Sequence, residues 1–494
     1  MSNTALNTSD MVWGRLKRAD LIKEQAYIDG TWQSATDTVD VTDPATGAVL
    51  GTVPNMGAKE TQAAIDAAEK AFPSWSKMLA KERAVILRRW AELMLEHKED
   101  LAVIMTLEQG KPINEARGEI DYAASFLEWF GEEAKRAYGD TIPSHLPNSK
   151  IVVTREPVGV TAAITPWNFP SAMITRKAGA ALAAGCPMVV RPANETPYSA
   201  LALAVLAEEA GVPAGVFSVV TGSAREIGKV LCDSNTVRKI SFTGSTEVGR
   251  ILINQSADTV KKMSMELGGH APFIAFSDAD MDKAIQGAIG AKFATTGQDC
   301  LAANRIYVHE DIYDEFTKRF TEATQAMKMA HGLEEDADLG PLMNEGAVEK
   351  CEAHVKDALD KGAKLLCGGN RHSLGGLFYE ATVLGDVTED MAISTEETFG
   401  PVAPLTKFKD EEEVIQRAND TIYGLAAYVY SENIGRCIRV SEALEYGMVG
   451  VNTPKFTGAP VPFGGYKQSG LGREGSKYGL DDYMEIKYVC LGGL

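Results

Sequence analysis

The sequence predicts an α/β fold: a doubly wound parallel sheet, then a second α/β unit, then a small β element at the end. Two alternations of strand and helix carry that expectation. The first begins at Ile151, where short apolar runs alternate with helical stretches of crossover length. The second begins at Phe273-Ile274-Ala275-Phe276 and has helices and strands of its own. A chain of 494 residues is long enough for two or three domains and a large core.

Before the first alternation, Ala26 to Ile28 reads as a strand ahead of the Asp29-Gly30 turn, and Val41 to Val53 as strand broken at Asp43-Pro44. Apolar residues at helical spacing predict helices over Thr61 to Leu79, Lys81 to Gln109 and Ile113 to Tyr138. Phe126, Trp129 and Phe130 on the last of these read as helix-packing residues. The parallel sheet follows, with strands at Val158–Ile164, Met188–Val190, Val216–Val220, Lys239–Phe242 and Lys262–Leu267. Helices over 171–184, 197–210, 224–231 and 246–253 separate them. The second unit carries helices at Met281–Phe293 and Ile312–Met329 and strands at Lys364–Leu366 and Val402–Phe408. The tail, Tyr483 to Cys490, reads as one exposed strand. An open edge is a hazard, so pairing with another subunit is expected, with Ile151 to Glu156 as a similar candidate.

The composition, 45% hydrophobic and 24% charged, is that of a globular protein. A net charge of −19 excludes a general nucleic-acid binder, which needs a basic face. Seven cysteines without a CxxC pair and seven scattered histidines offer no zinc spacing. No metal is expected, and free thiols suit a reducing compartment. Met1 to Asp20 has no apolar core of signal-peptide length, and no apolar run of about 18 residues occurs. A cytoplasmic protein without a membrane partner is the expectation.

Chemistry concentrates around Cys300, which follows a glycine turn and precedes the apolar run Arg305 to Val308. Upstream, Glu266 lies between a strand and the double glycine Gly268-Gly269, as a base facing a nucleophile would. Asn168, in Thr165-Pro166-Trp167-Asn168-Phe169-Pro170, is an amide clamped between prolines at a strand end; an ordinary Asx turn is the equal alternative. Phe242-Thr243-Gly244-Ser245 follows a strand and opens a helix, which suits phosphates, although the usual GxGxxG is missing. Arg191, followed by Pro192 and Asn194, lies at another strand end and either meets a ribose or phosphate or is solvated. Glu397 offers a carboxylate for a ribose diol and Phe399 an edge for a flat ring.

Together these stretches resemble the aldehyde dehydrogenase superfamily, in order and spacing, across nearly the whole chain. Within it, Met173 to Gly179 and the ending Gly472 to Gly479 look most like succinate-semialdehyde and glutarate-semialdehyde dehydrogenases. The resemblance implies an aldehyde dehydrogenase-like fold. Residues 1–139 and 156–266 would form the NAD(P)-binding domain, 267–458 the catalytic domain, and 140–155 with 459–494 the oligomerisation and bridging segments of a homodimer or homotetramer. It implies an aldehyde as substrate and NAD or NADP as cofactor. Cys300 would attack the aldehyde carbon, Asn168 and the Cys300 N–H would hold the oxyanion, and Glu266 would activate water against the thioester. The coenzyme would lie against Thr165, Pro166, Trp167, Arg191, Pro192, Asn194, Gly228, Phe242, Gly244, Ser245, Val248, Leu267, Glu397 and Phe399. The substrate would meet Phe169, Arg176, Ala294, Asp299, Leu301, Thr457 and Phe463; Lys177 and Glu474 would join a proton and charge network around the site, with ordinary salt bridges as the equal alternative.

Several positions depart from that pattern. Arg191 replaces a lysine. Asn194 replaces the glutamate that marks NAD preference, so NADP is permitted. Asp299 puts a carboxylate beside the nucleophile, which raises a thiol's pKa unless it points away. Leu301 and Ala302 leave no second cysteine for a disulfide switch. Ala294 removes an arginine of the succinate-semialdehyde clamp, so only Arg176 remains, and the loop Thr453 to Pro460 differs too. A semialdehyde or a bulkier ω-substituted aldehyde is therefore expected, oxidised to the acid. The rivals are a strict succinate-semialdehyde dehydrogenase, a CoA-acylating enzyme, which generally lacks the base, and a silent binding relative, which would lose Cys300, Glu266 or Asn168.

Overall fold

The computed structural model describes residues 13–494; the first twelve residues of the expected coenzyme segment lie outside the described residues. An eight-stranded sheet is built from the first half of the chain and one short strand near its end. Its middle runs Lys262–Glu266, Val237–Thr243, Val160–Ile164, Met188–Arg191 and Phe217–Val219, all parallel. Antiparallel strands close both sides: Gly470–Leu471 beside Lys262–Glu266, and the hairpin Ala26–Ile28 and Thr31–Gln33 beside Phe217–Val219. The central strands are apolar on both faces because helices cover both.

The seven-stranded second sheet runs Lys364–Cys367, Thr382–Gly385, Val402–Phe408, Ala303–His309, Ala271–Ala275, Ala426–Tyr430 and Met448–Val451. Only its first strand is antiparallel. The helices Glu345–Asp360, Glu411–Asn419 and Ile434–Ala443, and the last two strands of this sheet, go beyond the elements read from sequence.

Three expectations need correction. The stretch read as one helix over Lys81 to Gln109 is two, Ala80–Glu96 and Lys98–Gln109, broken at His97 (φ −109°, ψ 22°). Periodicity alone does not register such a break, because apolar residues continue on both sides of it. The helix from Ile113 ends at Glu133, with a short 3-10 turn beyond. The tail is a strand, Met484–Gly492, but it pairs antiparallel with Ser149–Pro157 of its own chain. With Asp140–Ile142 these make a three-stranded sheet in which the tail is an edge. The partner for the inner edge is thus internal, while Ile486 and Tyr488 remain exposed.

Phe126 and Phe130 are fully buried and Trp129 half-buried, packed where Ile113–Glu133 meets Ala172–Ala184. At Gly179 a Cβ would approach the Phe130 ring to 3.2 Å, so a bare backbone sets that spacing. This packing fixes the helix that carries Arg176 and Lys177 into the core. No helix among the described residues is long and apolar enough to cross a membrane.

Candidate active site

The nucleophile loop is held in a rarely populated shape. Helix Met281–Phe293 stops at Ala294, and Thr295, Thr296 and Gly297 all take left-handed backbone angles (φ 49°, 57° and 74°). Glu115 accepts the Thr295 N–H at 2.9 Å and so pins the first of them. At Gly297 a Cβ would fall 2.3 Å from the Gly400 carbonyl. Gln298 donates to Thr295 and Pro341 carbonyls and accepts from the Met343 N–H. Cys300 follows, half-buried, before strand Ala303–His309. Asp299 turns one oxygen onto the Leu301 N–H, 3.0 Å away. Burial pushes the Cys300 thiol well above its usual range, Asp299 adds to the rise, and Arg176 opposes it.

Glu266 ends strand Lys262–Glu266, opposite Thr243 in register. It is 2% exposed, and neither carboxylate oxygen has a hydrogen-bond partner among the described residues. Burial, helped by nearby Glu474, raises its pKa well above the ordinary carboxylate range. The double glycine after it permits a close approach: a Cβ on Gly269 would lie 2.2 Å from the Cys300 carbonyl oxygen. Asn168 is also buried. Its amide Nδ2 donates to the Gln298 carbonyl at 3.1 Å, which turns it to the nucleophile loop.

Behind Glu266 lies an ion-paired layer. Glu474 accepts from Arg176 Nε at 2.5 Å, from Lys177 Nζ, and from Ser241 Oγ at 3.0 Å. Lys177 also donates to Thr243 Oγ1. Burial works against the Glu474 charge, but Lys177 and Arg176 outweigh it and hold the pKa at about 2.

Cys300 opens onto a cavity of about 640 Å³, a size that suits a small-molecule substrate. All seven residues expected to meet substrate line it: Phe169, Arg176, Ala294, Asp299, Leu301, Thr457 and Phe463. Arg176 serves twice, since its guanidinium carries the Glu474 pair and stacks 4.0 Å from the Phe463 ring. Lys111, Glu115, Tyr122 and Lys455 also line the wall, none of them singled out from sequence. Their contribution comes from tertiary approach; of the four, only Lys455 falls in a stretch named from sequence, the loop Thr453 to Pro460.

The residues expected at the coenzyme gather at the carboxyl edge of the first sheet, where ligands of such sheets bind. Thr165 to Trp167 follow Val160–Ile164, Arg191 closes Met188–Arg191, and Phe242 lies next to the end of Val237–Thr243. These strands are neighbours. Arg191 is 8% exposed, so it is not the solvated arginine of the alternative reading. It donates to Asn194 Oδ1 (2.7 Å) and the Gly222 carbonyl (3.1 Å), and burial lowers its pKa to about 10. Pro192 continues that strand end. A Cβ on Gly244 would strike the Phe242 ring at 2.4 Å. Ser245 caps helix Thr246–Ser256 by accepting the Val248 N–H, and Val248 is exposed beside it. Leu267 packs on Gly249, and Gly228 faces Leu252 between two helices. From the second sheet side, Glu397 accepts the Gly269 N–H at 3.0 Å, and burial lifts its pKa to about 7. Phe399 (φ 55°) meets Trp167 edge-on at 5.6 Å. The two halves of the coenzyme set therefore face one another across the sheet edge.

The arrangement fits a dinucleotide on two observations: the bare backbone at Gly244 beside a helix N-terminus, and buried polar atoms without partners at Arg191 Nε and Thr165 Oγ1.

Residues 32–489 match the aldehyde dehydrogenase family. The chain is 58% identical to glutarate-semialdehyde dehydrogenase of Pseudomonas aeruginosa, covering 97% of this chain and 100% of that one. It is 59% identical to 3-sulfolactaldehyde dehydrogenase of Pseudomonas putida, covering 97% and 99%. A crystal structure of an NADP-dependent enzyme of E. coli superposes with a TM-score of 0.96 at 58% identity, covering 97% and 100%.

Proposed function

Because the chain belongs to the aldehyde dehydrogenase family and oxidises an aldehyde with NAD(P), we propose that Cys300, Glu266 and Asn168 carry that reaction. The observation that carries the proposal is Glu266: a buried carboxylate with no partner, on a strand that Gly269 brings against the nucleophile. Such a group costs stability and is kept for use.

Cys300 loses its proton to solvent water and attacks the aldehyde carbon as the thiolate; the C–S bond forms as the carbonyl π pair moves onto the oxygen. The Asn168 amide and the Cys300 N–H hold the oxyanion. Bound NAD(P)⁺ supplies the hydride acceptor. Glu397 and Phe399 would hold it from one side, and Thr165 to Trp167, Arg191, Asn194 and the Phe242–Val248 turn from the other. Once the thioester exists, Glu266 takes a proton from water, which attacks the acyl carbon; the C–S bond breaks, Cys300 leaves as the thiolate and the acid is released.

The substrate is an aldehyde with an ω-substituent, a semialdehyde or bulkier. Relatives of nearly equal identity are named for different aldehydes, so identity does not select one. Ala294 leaves room in the cavity that Arg176 also lines. The wall also carries Glu115, Asp299, Glu119 and Asp338, and two of its three cations, Lys111 and Arg176, are already ion-paired. That balance disfavours a short, strongly anionic substrate. NADP is accepted, because Asn194 offers no carboxylate to repel a 2′-phosphate. The domains divide as 1–139 with 156–266 for coenzyme, 267–458 for catalysis, and 140–155 with 459–494 for a cytoplasmic homodimer or homotetramer.

The test is turnover over a panel of aldehydes with NAD⁺ and NADP⁺, with and without CoA, for the parent and Cys300→Ala. The expected result is acid formation independent of CoA, abolished by the substitution while coenzyme binding persists. A CoA requirement, or activity in Cys300→Ala above background, would sink the assignment.

A further inference from the structure

The oxyanion amide is held by more than its own loop. While Asn168 Nδ2 donates to the Gln298 carbonyl, the Asn168 backbone carbonyl accepts from Lys111 Nζ at 2.7 Å. Lys111 sits in the turn between helices Lys98–Gln109 and Ile113–Glu133, with its N–H donated to Gln109 Oε1. Its ammonium pairs with Glu119 Oε2 at 2.6 Å, and both side chains are 1% exposed. The same ammonium lies 4.1 Å from the centre of the Phe169 ring. Glu119 uses its other oxygen on the Ser171 and Ala172 N–H groups, at 2.9 and 3.1 Å, where helix Ala172–Ala184 begins. One buried ion pair therefore grips the Asn168–Ala172 turn at both ends.

A buried pair pays heavy desolvation, and an apolar pair of the same shape would serve stability as well or better. What an apolar pair lacks is a donor on the Asn168 carbonyl. We propose that Lys111 and Glu119 are positioning residues for the oxyanion donor: they fix the Asn168 peptide plane and, through it, the direction of the Asn168 amide. This rests on the oxyanion role given to Asn168 above. The pair touches no reacting atom; it acts through Asn168 alone.

That dependence gives a test by double-mutant cycle. Lys111→Met with Glu119→Gln removes both charges together, so neither is left buried alone. The readout is the rate of NAD(P)H formation in a single turnover of propanal, an aldehyde with no substituent to meet Lys111 directly. The expected loss is roughly 10- to 100-fold, the scale of an ångström-size misplacement. In an Asn168→Ala background the same substitutions should slow nothing further. Equal losses in both backgrounds would overturn the proposal, because a merely loosened fold penalises both alike. An unchanged single-turnover rate in the folded double variant would overturn it too. If that variant does not fold, Glu119→Gln alone supplies the milder arm, with the same required disappearance in Asn168→Ala. Full activity of Asn168→Ala would sink the oxyanion reading and this proposal together. A slow Asn168→Ala beside an unaffected pair variant sinks this proposal only.

Discussion

Glu266 and Glu474 are both buried carboxylates, 2% and 5% exposed, yet their surroundings drive them in opposite directions. Around Glu266 no donor comes within reach, and burial pushes its pKa well up. In the layer behind it, Glu474 gathers Arg176, Lys177 and Ser241 and is held at about 2. The same residue type thus makes a proton acceptor in one place and a fixed counter-charge in the other. Pairs of carboxylates pushed apart in this way mark divided acid–base duties. Partners, more than depth, decide the role.

The comparison breaks first at Glu266. With Glu266→Gln, water loses its base and the thioester should accumulate: a burst of NAD(P)H of about one equivalent, then a steady state slowed by roughly 10²–10⁴. Steady-state turnover equal to the parent's would place the base elsewhere. Glu474→Gln should fail differently, because it strands two buried cations; unfolding free energy should fall by about 3–5 kcal/mol. Denaturant melts that coincide with the parent's would show that the pair layer carries no stability.

Acidity separates the two as well. Deacylation needs the Glu266 carboxylate, so its rate should climb with pH through a midpoint above the ordinary carboxylate range. Glu474→Gln removes a charge that raises Glu266, so in folded enzyme that midpoint should move to lower pH. For stability the signs are opposite. Glu474, depressed, stabilises the fold above the unfolded carboxylate pKa, and that contribution fades as pH falls toward about 2. Glu266, raised, weighs against the fold as pH rises. A pH profile of deacylation that does not move in Glu474→Gln would uncouple the two residues.

Two smaller changes ask whether partners govern the outer walls too. Ala294→Arg adds a second arginine to a cavity wall that already carries Arg176; a charge-assisted bond is worth about 1.5–3 kcal/mol, so kcat/KM for succinate semialdehyde should rise roughly tenfold. A rise confined to bulky aldehydes would contradict the opened wall. Asn194→Glu should weaken NADP⁺ more than NAD⁺, but by less than an isolated carboxylate would, because Arg191 already donates to this position and would pair with the new charge. Equal changes in KM for both coenzymes would move Asn194 away from the 2′-phosphate.

Much of this was legible in the chain. Helix Met281–Phe293 and strand Val402–Phe408 were predicted to the residue, because an apolar run bounded by polar turns is a local signal. The seven cavity residues around Cys300 were also placed by motif. The break at His97 was not, since the apolar rhythm continues through it. Nor was the pairing of Arg176 with Glu474, 298 positions apart, or of Lys111 with the Asn168 carbonyl. Such contacts depend on how helices cross, and no local pattern encodes a crossing. The tail strand was read, but its partner was assigned to another subunit. Strand Ser149–Pro157 of the same chain takes that place, because local sequence gives an edge without saying who covers it.

Gly269 has a further consequence. The gap between base and nucleophile is set there by a missing side chain, with no room for even a methyl group before the Cys300 carbonyl. A dimension fixed by emptiness has no adjustable part: no larger residue at this position retunes it. Variation in what the enzyme accepts must therefore be written on the far wall, at positions such as Ala294 and Thr457. The chemistry is locked while the appetite stays free to drift.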